Sequence, residues 1–135
     1  PLEIFKSDPI TDRKSVFTAY ACRVTDLSTV NSFRTALLRD PRVANATHNI
    51  MAYRFRRSTD KHEINGNHKI TGTLEIDEDY FDDGETAAGR RLLMLLQNMK
   101  KINVAVIVSR SFGGIKLGPV RFKWINEAAK LVLKD

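Results

Sequence analysis

The chain has 135 residues, of which 42% are hydrophobic and 28% are charged, and it carries a net charge of +6. This length suits one domain that buries its core without metals or disulfides, and a single cysteine, Cys22, excludes an intramolecular disulfide and suits a reducing compartment. No apolar run approaches the roughly 20 residues that span a bilayer and no signal peptide opens the chain, so we expect a cytoplasmic protein with no membrane partner.

The first half of the chain predicts a strand and then a helix. Residues from Ser15 to Val24 are rich in Val, Phe, Thr and Tyr, which is typical of a strand. Asp26 or Ser28 can cap the amphipathic helix that follows, and Asp40-Pro41 ends it. The apolar positions at helical spacing in this segment are Val30, Phe33 and Leu37.

A second strand is predicted from Ala46 to Arg56, where apolar and polar residues alternate with a period of two. One face carries Met51, Tyr53 and Phe55. The other face is half-polar and includes His48 and Arg54, which suggests a sheet with helices on one side only. We therefore expect His48 and Arg54 on a sheet face that is open to solvent or to a partner.

The second half of the chain predicts a polar, hairpin-like loop from Ser58 to Lys69 and a strand from Ile70 to Asp77. An acidic connection from Asp77 to Thr86 follows. The next segment is strongly helical and ends near Lys100-Lys101. Its apolar stripe consists of Leu92, Leu93, Leu96 and Met99.

The run from Val104 to Val108 is apolar at every position and β-branched at four of five, which predicts a central strand covered on both faces. A last helix from about Leu117 to Leu133 follows, with Pro119 in its first turn. The order strand, helix, strand, then strand, helix, strand, helix predicts two βαβ-like halves. The fold class is therefore α/β, an α+β two-layer sandwich of four main strands with about three helices on one face, and residues 1–135 form one domain.

A glycine-bearing turn, Arg110-Ser-Phe-Gly-Gly-Ile-Lys-Leu-Gly118, joins the central strand to the last helix. Its backbone N–H groups, the helix N-terminus and Lys116 could hold a phosphate. It is not a Walker A loop, because no Gly-Lys-Ser/Thr sequence closes it, and it lacks the Gly-x-Gly-x-x-Gly spacing. The alternative is that the glycines only make a tight turn.

The acidic segment contains Asp82, Asp83 and Glu85 ahead of a helix. These carboxylates could cap the helix N-terminus, bind Mg²⁺ or Ca²⁺, or contact a partner; capping is favoured because no EF-hand spacing is present. The histidines and the cysteine match no metal pattern, and no serine lies in a nucleophile elbow. We therefore predict no catalytic residue, no metal and no cofactor.

Three blocks together carry a family resemblance: Ala-Thr-His-Asn-Ile-Met-Ala-Tyr-Arg at 46–54, Asp-Asp-Gly-Glu-Thr-Ala-Ala-Gly at 82–89, and Val-Ser-Arg-Ser-Phe-Gly-Gly-Ile-Lys-Leu-Gly-Pro at 108–119. In this order and spacing they resemble the IMPACT family, specifically its C-terminal "ancient" domain, which has bacterial relatives of the YigZ type. The likeness runs from about Ile10 to Leu133. Two positions depart from the family pattern: Ser111 replaces an aromatic residue, and Arg90 stands where close relatives often have Gly.

The resemblance implies a fold like the second domain of a small-subunit ribosomal protein, and a role in translational control. Eukaryotic family members carry an N-terminal RWD domain, which we expect to be absent from this chain; its absence would explain the start at Pro1. They restrain the amino-acid-starvation kinase, which phosphorylates initiation factor 2, by competing for its ribosome-associated activator. The resemblance also implies association with actin monomers.

Our first functional hypothesis is a non-enzymatic domain that regulates translation by binding a partner. The candidate binding residues are His48, Arg54, Asp82, Asp83, Glu85, Thr86, Arg110, Phe112, Gly113, Gly114 and Lys116. The second hypothesis is an RNA- or ribosome-binding module in which basic residues contact phosphates and Phe112, with Tyr53, stacks on bases. This hypothesis rests on the uneven distribution of charge, because both ends of the chain are basic. Residues 1–70 hold 12 Lys and Arg against 7 Asp and Glu, residues 71–100 hold 3 against 7, and residues 101–135 hold 7 against 2. A third, minor hypothesis is an enzyme that uses the glycine turn as a phosphate site.

Overall fold

The computed structural model describes residues 2–57, 64–65, 68–69 and 75–134. Over these ranges the chain forms, in order, β1 (Ile4–Lys6), β2 (Ile10–Asp12), β3 (Ser15–Arg23), α1 (Leu27–Leu38), α2 (Pro41–Ala44), β4 (His48–Arg56), β5 (Ile64–Asn65), β6 (His68–Lys69), β7 (Ile76–Phe81), α3 (Ala88–Asn98), β8 (Val104–Ser111) and α4 (Val120–Leu133).

The main sheet has the strand order β1-β3-β8-β4-β7, and β2 also pairs with β3. Every pairing between neighbouring strands is antiparallel. β8 is the central strand, as its unbroken apolar run predicts. Because β3 and β4 both run antiparallel to β8, they are parallel to each other with β8 between them. The two βαβ-like halves are therefore present, but each is split by a strand of the other.

Helices cover both faces of this sheet. On one face, Phe17, Ile50 and Val108 pack against α3 and α4. On the other face, Tyr20 and Ile107 pack against α1, and this second core contains Cys22, whose burial raises its thiol pKa. The predicted fold class, a mixed α/β domain, is confirmed. The predicted placement of about three helices on one face is wrong, because α1 and α2 lie opposite α3 and α4.

The edge strand β7 differs from its predicted position. It runs from Ile76 to Phe81, so the acidic residues that we expected in a connection lie within a strand. They fit there because the neighbouring strand and its extension supply arginines: Arg54 Nε lies 3.0 Å from a Glu78 carboxylate oxygen, and Arg57 binds Asp77. Charged side chains are also usual on an edge strand, where they discourage edge-to-edge association. Residues 70–74 of the predicted strand lie outside the described residues.

Three local predictions are confirmed. The Asp26 carboxylate accepts the backbone N–H of Thr29 at 2.8 Å and caps α1. In the polar loop from Ser58 to Lys69, β5 and β6 pair antiparallel, in keeping with its hairpin-like sequence, and the rest of that loop lies outside the described residues. Asp40-Pro41 ends α1 and also starts the one-turn helix α2, with Asp40 as its N-cap.

Candidate functional site

The three sequence blocks meet at one end of the sheet. His48, the first residue of β4, lies directly opposite Arg110 of β8 in the strand register. The loop between β7 and α3 folds over this pair and brings Glu85 onto Arg110. Arg121 of α4 also binds Glu85. We call these four residues, Glu85, Arg110, His48 and Arg121, the Glu85 cluster. The cluster therefore ties β4, β8, α4 and the acidic loop together.

Glu85 is the centre of this cluster and is only 5% exposed. One carboxylate oxygen accepts a hydrogen bond from Arg110 Nη1, and the other accepts one from Arg121 Nε at 2.9 Å. Arg110 is itself 4% exposed. Burying either charge alone would cost several kcal/mol, so each group depends on its partner. Glu85 and Arg110 consequently organise the loops from below rather than offering themselves to a partner.

His48 connects the cluster to the acidic loop. Its Nδ1–H donates to the backbone carbonyl of Asp83 at 2.8 Å, and its Nε2 lies 3.8 Å from a Glu85 carboxylate oxygen. The side chain of Asp83 accepts the backbone N–H of Asn49 at 2.7 Å. The loop is thus pinned to the start of β4 by both the backbone and the side chain of one residue.

Of the three carboxylates expected to cap α3, only Asp82 does so; the prediction is wrong for Asp83, which accepts the Asn49 N–H, and for Glu85, which pairs with two arginines, because folding brings these distant donors closer than the helix end. The residue at the helix boundary, Ala87, has a left-handed backbone with φ +70° and makes no side-chain cap. Instead, the Asp82 carboxylate accepts the backbone N–H groups of Ala87 at 3.2 Å and Gly89 at 2.7 Å. A Cβ on Gly89 would lie 2.7 Å from Asp82 Oδ1 and 2.8 Å from a Tyr80 ring carbon. Position 89 therefore has to be glycine for the Asp82 carboxylate to reach the first turn of α3.

The glycine turn is held against the chain's own backbone. Phe112 N–H donates to Thr47 Oγ1 at 2.9 Å, and a Cβ on Gly113 would lie 2.2 Å from the carbonyl carbon of Lys14. Gly114 has a left-handed backbone with φ +93° and open space where a Cβ would be. Gly113 thus serves a close approach between two turns, and the alternative that these glycines make a tight turn is the one that this geometry favours.

Exposed residues of the same loops define a candidate surface. Phe112 is 46% exposed, and Ile115, which the sequence analysis did not select, is 45% exposed. Thr86, Gly114 and Lys116 are also exposed. We call Thr86, Phe112, Gly114, Ile115 and Lys116 the loop surface. It combines an aromatic ring, an aliphatic side chain and a cation, and its Phe112 ring lies next to the buried Glu85–Arg110 pair.

Arg54 does not join this surface. It lies six residues along β4 from His48, about 20 Å at strand spacing, and donates to Glu78 and to the carbonyl of Lys101. The face it shares with His48 is covered by α3 and α4, so the expectation of an open sheet face there is wrong. Tyr53, the predicted second stacking residue, lies on the opposite face and stacks on Phe55 with ring centroids 5.7 Å apart.

Sequence reasoning missed Arg121 and Thr47. Arg121 lies in the first turn of α4, where nothing local requires a cation, and its partner Glu85 is 36 residues away. Thr47 precedes His48 and accepts a hydrogen bond from a residue 65 positions later. One physical argument points to Arg121: a buried carboxylate such as Glu85 usually needs more hydrogen-bond donors than the single arginine Arg110.

Two further structural findings concern the described ranges. No helix there is both long enough and apolar enough to cross a membrane. Among the same residues, no three or more His, Cys, Asp or Glu side chains are grouped so that they could hold a metal ion.

Comparisons with known proteins agree with the three-block resemblance. The chain is 45% identical over 93% of its length to the protein IMPACT homolog of Schizosaccharomyces pombe and 43% identical over 94% of its length to protein IMPACT of Homo sapiens. It spans 40% and 36% of these two relatives.

Two solved structures share the fold. The two-domain translational regulator Yih1 is 38% identical to the chain, with a TM-score of 0.61 over 94% of this chain and 44% of the other. A hypothetical protein has a TM-score of 0.70 at 19% identity, over 97% of this chain and 60% of the other, and it supports the fold alone.

The family match is also specific. The model of the Impact N-terminal domain matches residues 13–133. That description differs from our expectation of a C-terminal domain, and the position of this chain within a longer protein stays a prediction. With nearly the whole chain matched, the protein belongs to the IMPACT family, through its Impact N-terminal domain.

Proposed function

We propose that the chain is a translation-regulatory domain that acts by binding rather than by catalysis. The observation that carries this proposal is its 38% identity, over 94% of the chain, to a translational regulator with the same fold. The arrangement of the three blocks supports it, because their charged residues are used to fix loops around an exposed surface. We place this activity in the cytoplasm.

We further propose that, as part of a longer protein, this domain helps to restrain the amino-acid-starvation kinase that phosphorylates initiation factor 2. It would do so by competing for the ribosome-associated activator of that kinase, with the loop surface as its contact. Phe112 and Ile115 offer apolar area there, and Lys116 offers a charge. Actin monomer is a further partner that we propose for the same protein.

Co-purification of the kinase activator with the full-length protein tests this proposal. We expect Phe112→Ala and Lys116→Glu to reduce the amount of activator recovered, because both change the loop surface. The matched control is Lys134→Glu, which reverses an exposed charge just past the far end of α4. Unchanged recovery and unchanged kinase inhibition after deletion of this domain would place the regulatory surface elsewhere.

A second candidate function is RNA or ribosome binding, which one observation favours. Phe112 is 46% exposed and lies in the same turn as the exposed cation Lys116, while the buried Arg110 guanidinium, 5.9 Å from the Phe112 ring centroid, stays paired with Glu85. An aromatic platform next to cations is a common arrangement for single-stranded nucleic acid. This function predicts capture that ribonuclease abolishes and gel-shift binding that weakens steeply with salt. Salt-independent or absent RNA binding would eliminate it.

A further inference from the structure

A cavity of about 310 Å³ lies over the sheet on the face that packs against α1, and Arg42 of α2 forms part of its wall. Its floor comes from two adjacent strands, since Thr18 of β3 pairs with Ser109 of β8 and Val16 pairs with Ser111. Small side chains at these positions leave space above the sheet. The cavity is on the opposite face from the Glu85 cluster and is separate from it.

Hydroxyl groups dominate the lining. Thr18, Tyr20, Ser109 and Ser111 all face this cavity. Within the described part of the chain, none of these four side chains makes a hydrogen bond to another protein group. Burial, with a smaller contribution from Asp40, raises the pKa of Tyr20, so its O–H remains a donor at neutral pH. The floor therefore presents a group of hydrogen-bond donors on rigid strands.

The charged residues that line the cavity are both basic. They are Lys6, from the end of β1, and Arg42, from α2. Asp40 holds the Arg42 guanidinium through Nε at 3.3 Å and Nη2 at 3.2 Å and offsets part of its charge, but Asp40 is not itself a lining residue. These two contacts leave Arg42 Nη1 without a protein partner in the described ranges.

We propose that this cavity binds the phosphoryl group of a small phosphorylated molecule of about mononucleotide size. Phosphate oxygens only accept hydrogen bonds, so they match a lining of hydroxyl donors with two cations, whose combined charge Asp40 reduces through its pair with Arg42 and its attraction to Lys6 but does not cancel. The volume lies at the small end of the range for ligand pockets. A nucleic-acid strand fits less well, because Tyr20 is 6% exposed and offers no open ring face on which a base could stack.

Titration of the protein with AMP and with inorganic phosphate, followed by backbone amide NMR shifts, tests this proposal. We expect saturable shifts confined to β3, β8 and α2, with AMP binding more tightly than phosphate. Arg42→Gln should weaken AMP binding by about tenfold, since it removes a charge-assisted hydrogen bond. Thr18→Val and Ser111→Ala should each weaken it by a smaller factor.

The matched control is Arg90→Gln, which removes another exposed arginine on α3, across the sheet from the cavity. Arg42 is 76% exposed, so its replacement should leave the unfolding midpoint unchanged. The proposal is overturned if Arg42→Gln and Arg90→Gln weaken AMP binding equally, or if neither AMP nor phosphate shifts the strand amides. It is also overturned if a single-stranded RNA oligonucleotide shifts these amides while AMP does not.

Discussion

Replacing Glu85 with glutamine should destabilise the domain strongly, because it leaves a charge without its counterion. The variant keeps the size of the side chain but removes the carboxylate that faces Arg110, which is 4% exposed, and Arg121. Removing one partner of a buried ion pair typically costs about 3–5 kcal/mol. The retained amide oxygen can still accept one hydrogen bond, so we expect a loss near the lower end, about 3 kcal/mol.

Urea denaturation followed by circular dichroism measures this loss. With a denaturant slope of about 1–3 kcal/mol/M, the unfolding midpoint should fall by about 1–3 M. The matched control is Glu75→Gln, which removes a carboxylate that is 55% exposed and paired with Arg57. An exposed pair contributes about 0–1 kcal/mol, so this control should change the midpoint little.

Two further variants distinguish the free-energy cost of leaving Arg110 as an unpaired buried charge from the cost of lost contacts alone. Arg121 is 26% exposed, so Arg121→Gln should destabilise the domain less than Glu85→Gln and remains measurable if the latter does not fold. The double variant Glu85→Gln with Arg110→Met should be less destabilised than the sum of its single changes, with a coupling energy of about 1–3 kcal/mol. A loss for Glu85→Gln no larger than that for Glu75→Gln, together with additive double-variant energies, would refute the reasoning.

Three other outcomes are expected. Gly113→Ala should lower the free energy of unfolding by about 3 kcal/mol, because the new Cβ would lie 2.2 Å from backbone. Gly114→Ala should lower it by only about 1 kcal/mol, because that position has open space and only its left-handed φ of +93° opposes a side chain. The reverse order in urea denaturation would contradict this account. Phe112→Ala should change the free energy of unfolding by no more than about 0.5 kcal/mol while weakening activator binding about tenfold in a calorimetric titration. A large loss of stability would instead indicate that the ring supports the fold rather than contacting the partner. Hydrogen bonds from Thr29 hold the pKa of Asp26 below its ordinary value, so this carboxylate contributes stability above about pH 4 that is lost as pH falls through the folded-state pKa. In thermal unfolding between about pH 5 and pH 2, the melting temperature of Asp26→Ala should therefore fall less than that of the unmodified chain. Equal falls in melting temperature would be inconsistent with this cap.

Much of the local structure could be predicted from the sequence because it depends on neighbouring residues. The cap at Asp26 acts on a residue three positions away, and the apolar run of β8 marks a central strand wherever the other strands lie. The alternation along β4 also correctly separated its two faces. These signals have ranges of a few residues, which the sequence displays directly.

The errors arose where a residue's environment comes from distant parts of the chain. The half-polar face of β4 suggested exposure, yet His48 and Arg54 are accommodated beneath helices because Asp83, Glu85 and Glu78 supply their partners. The acidic residues of β7 resembled a connection for the same reason. Periodicity tells which side chains share a face, but it does not tell which element covers that face.

For this protein, the sequence alone determined the family, the central strand, the caps at Asp26 and Asp82, and the three blocks that belong together. Only the tertiary structure decided that helices cover both faces, that Glu85 and Arg110 are buried supports, and that Phe112 and Lys116 remain exposed. The physical reason is that a charge's burial depends on counterions brought close by folding. Glu85 meets Arg110 and Arg121 across 25 and 36 residues, and no local pattern encodes that meeting.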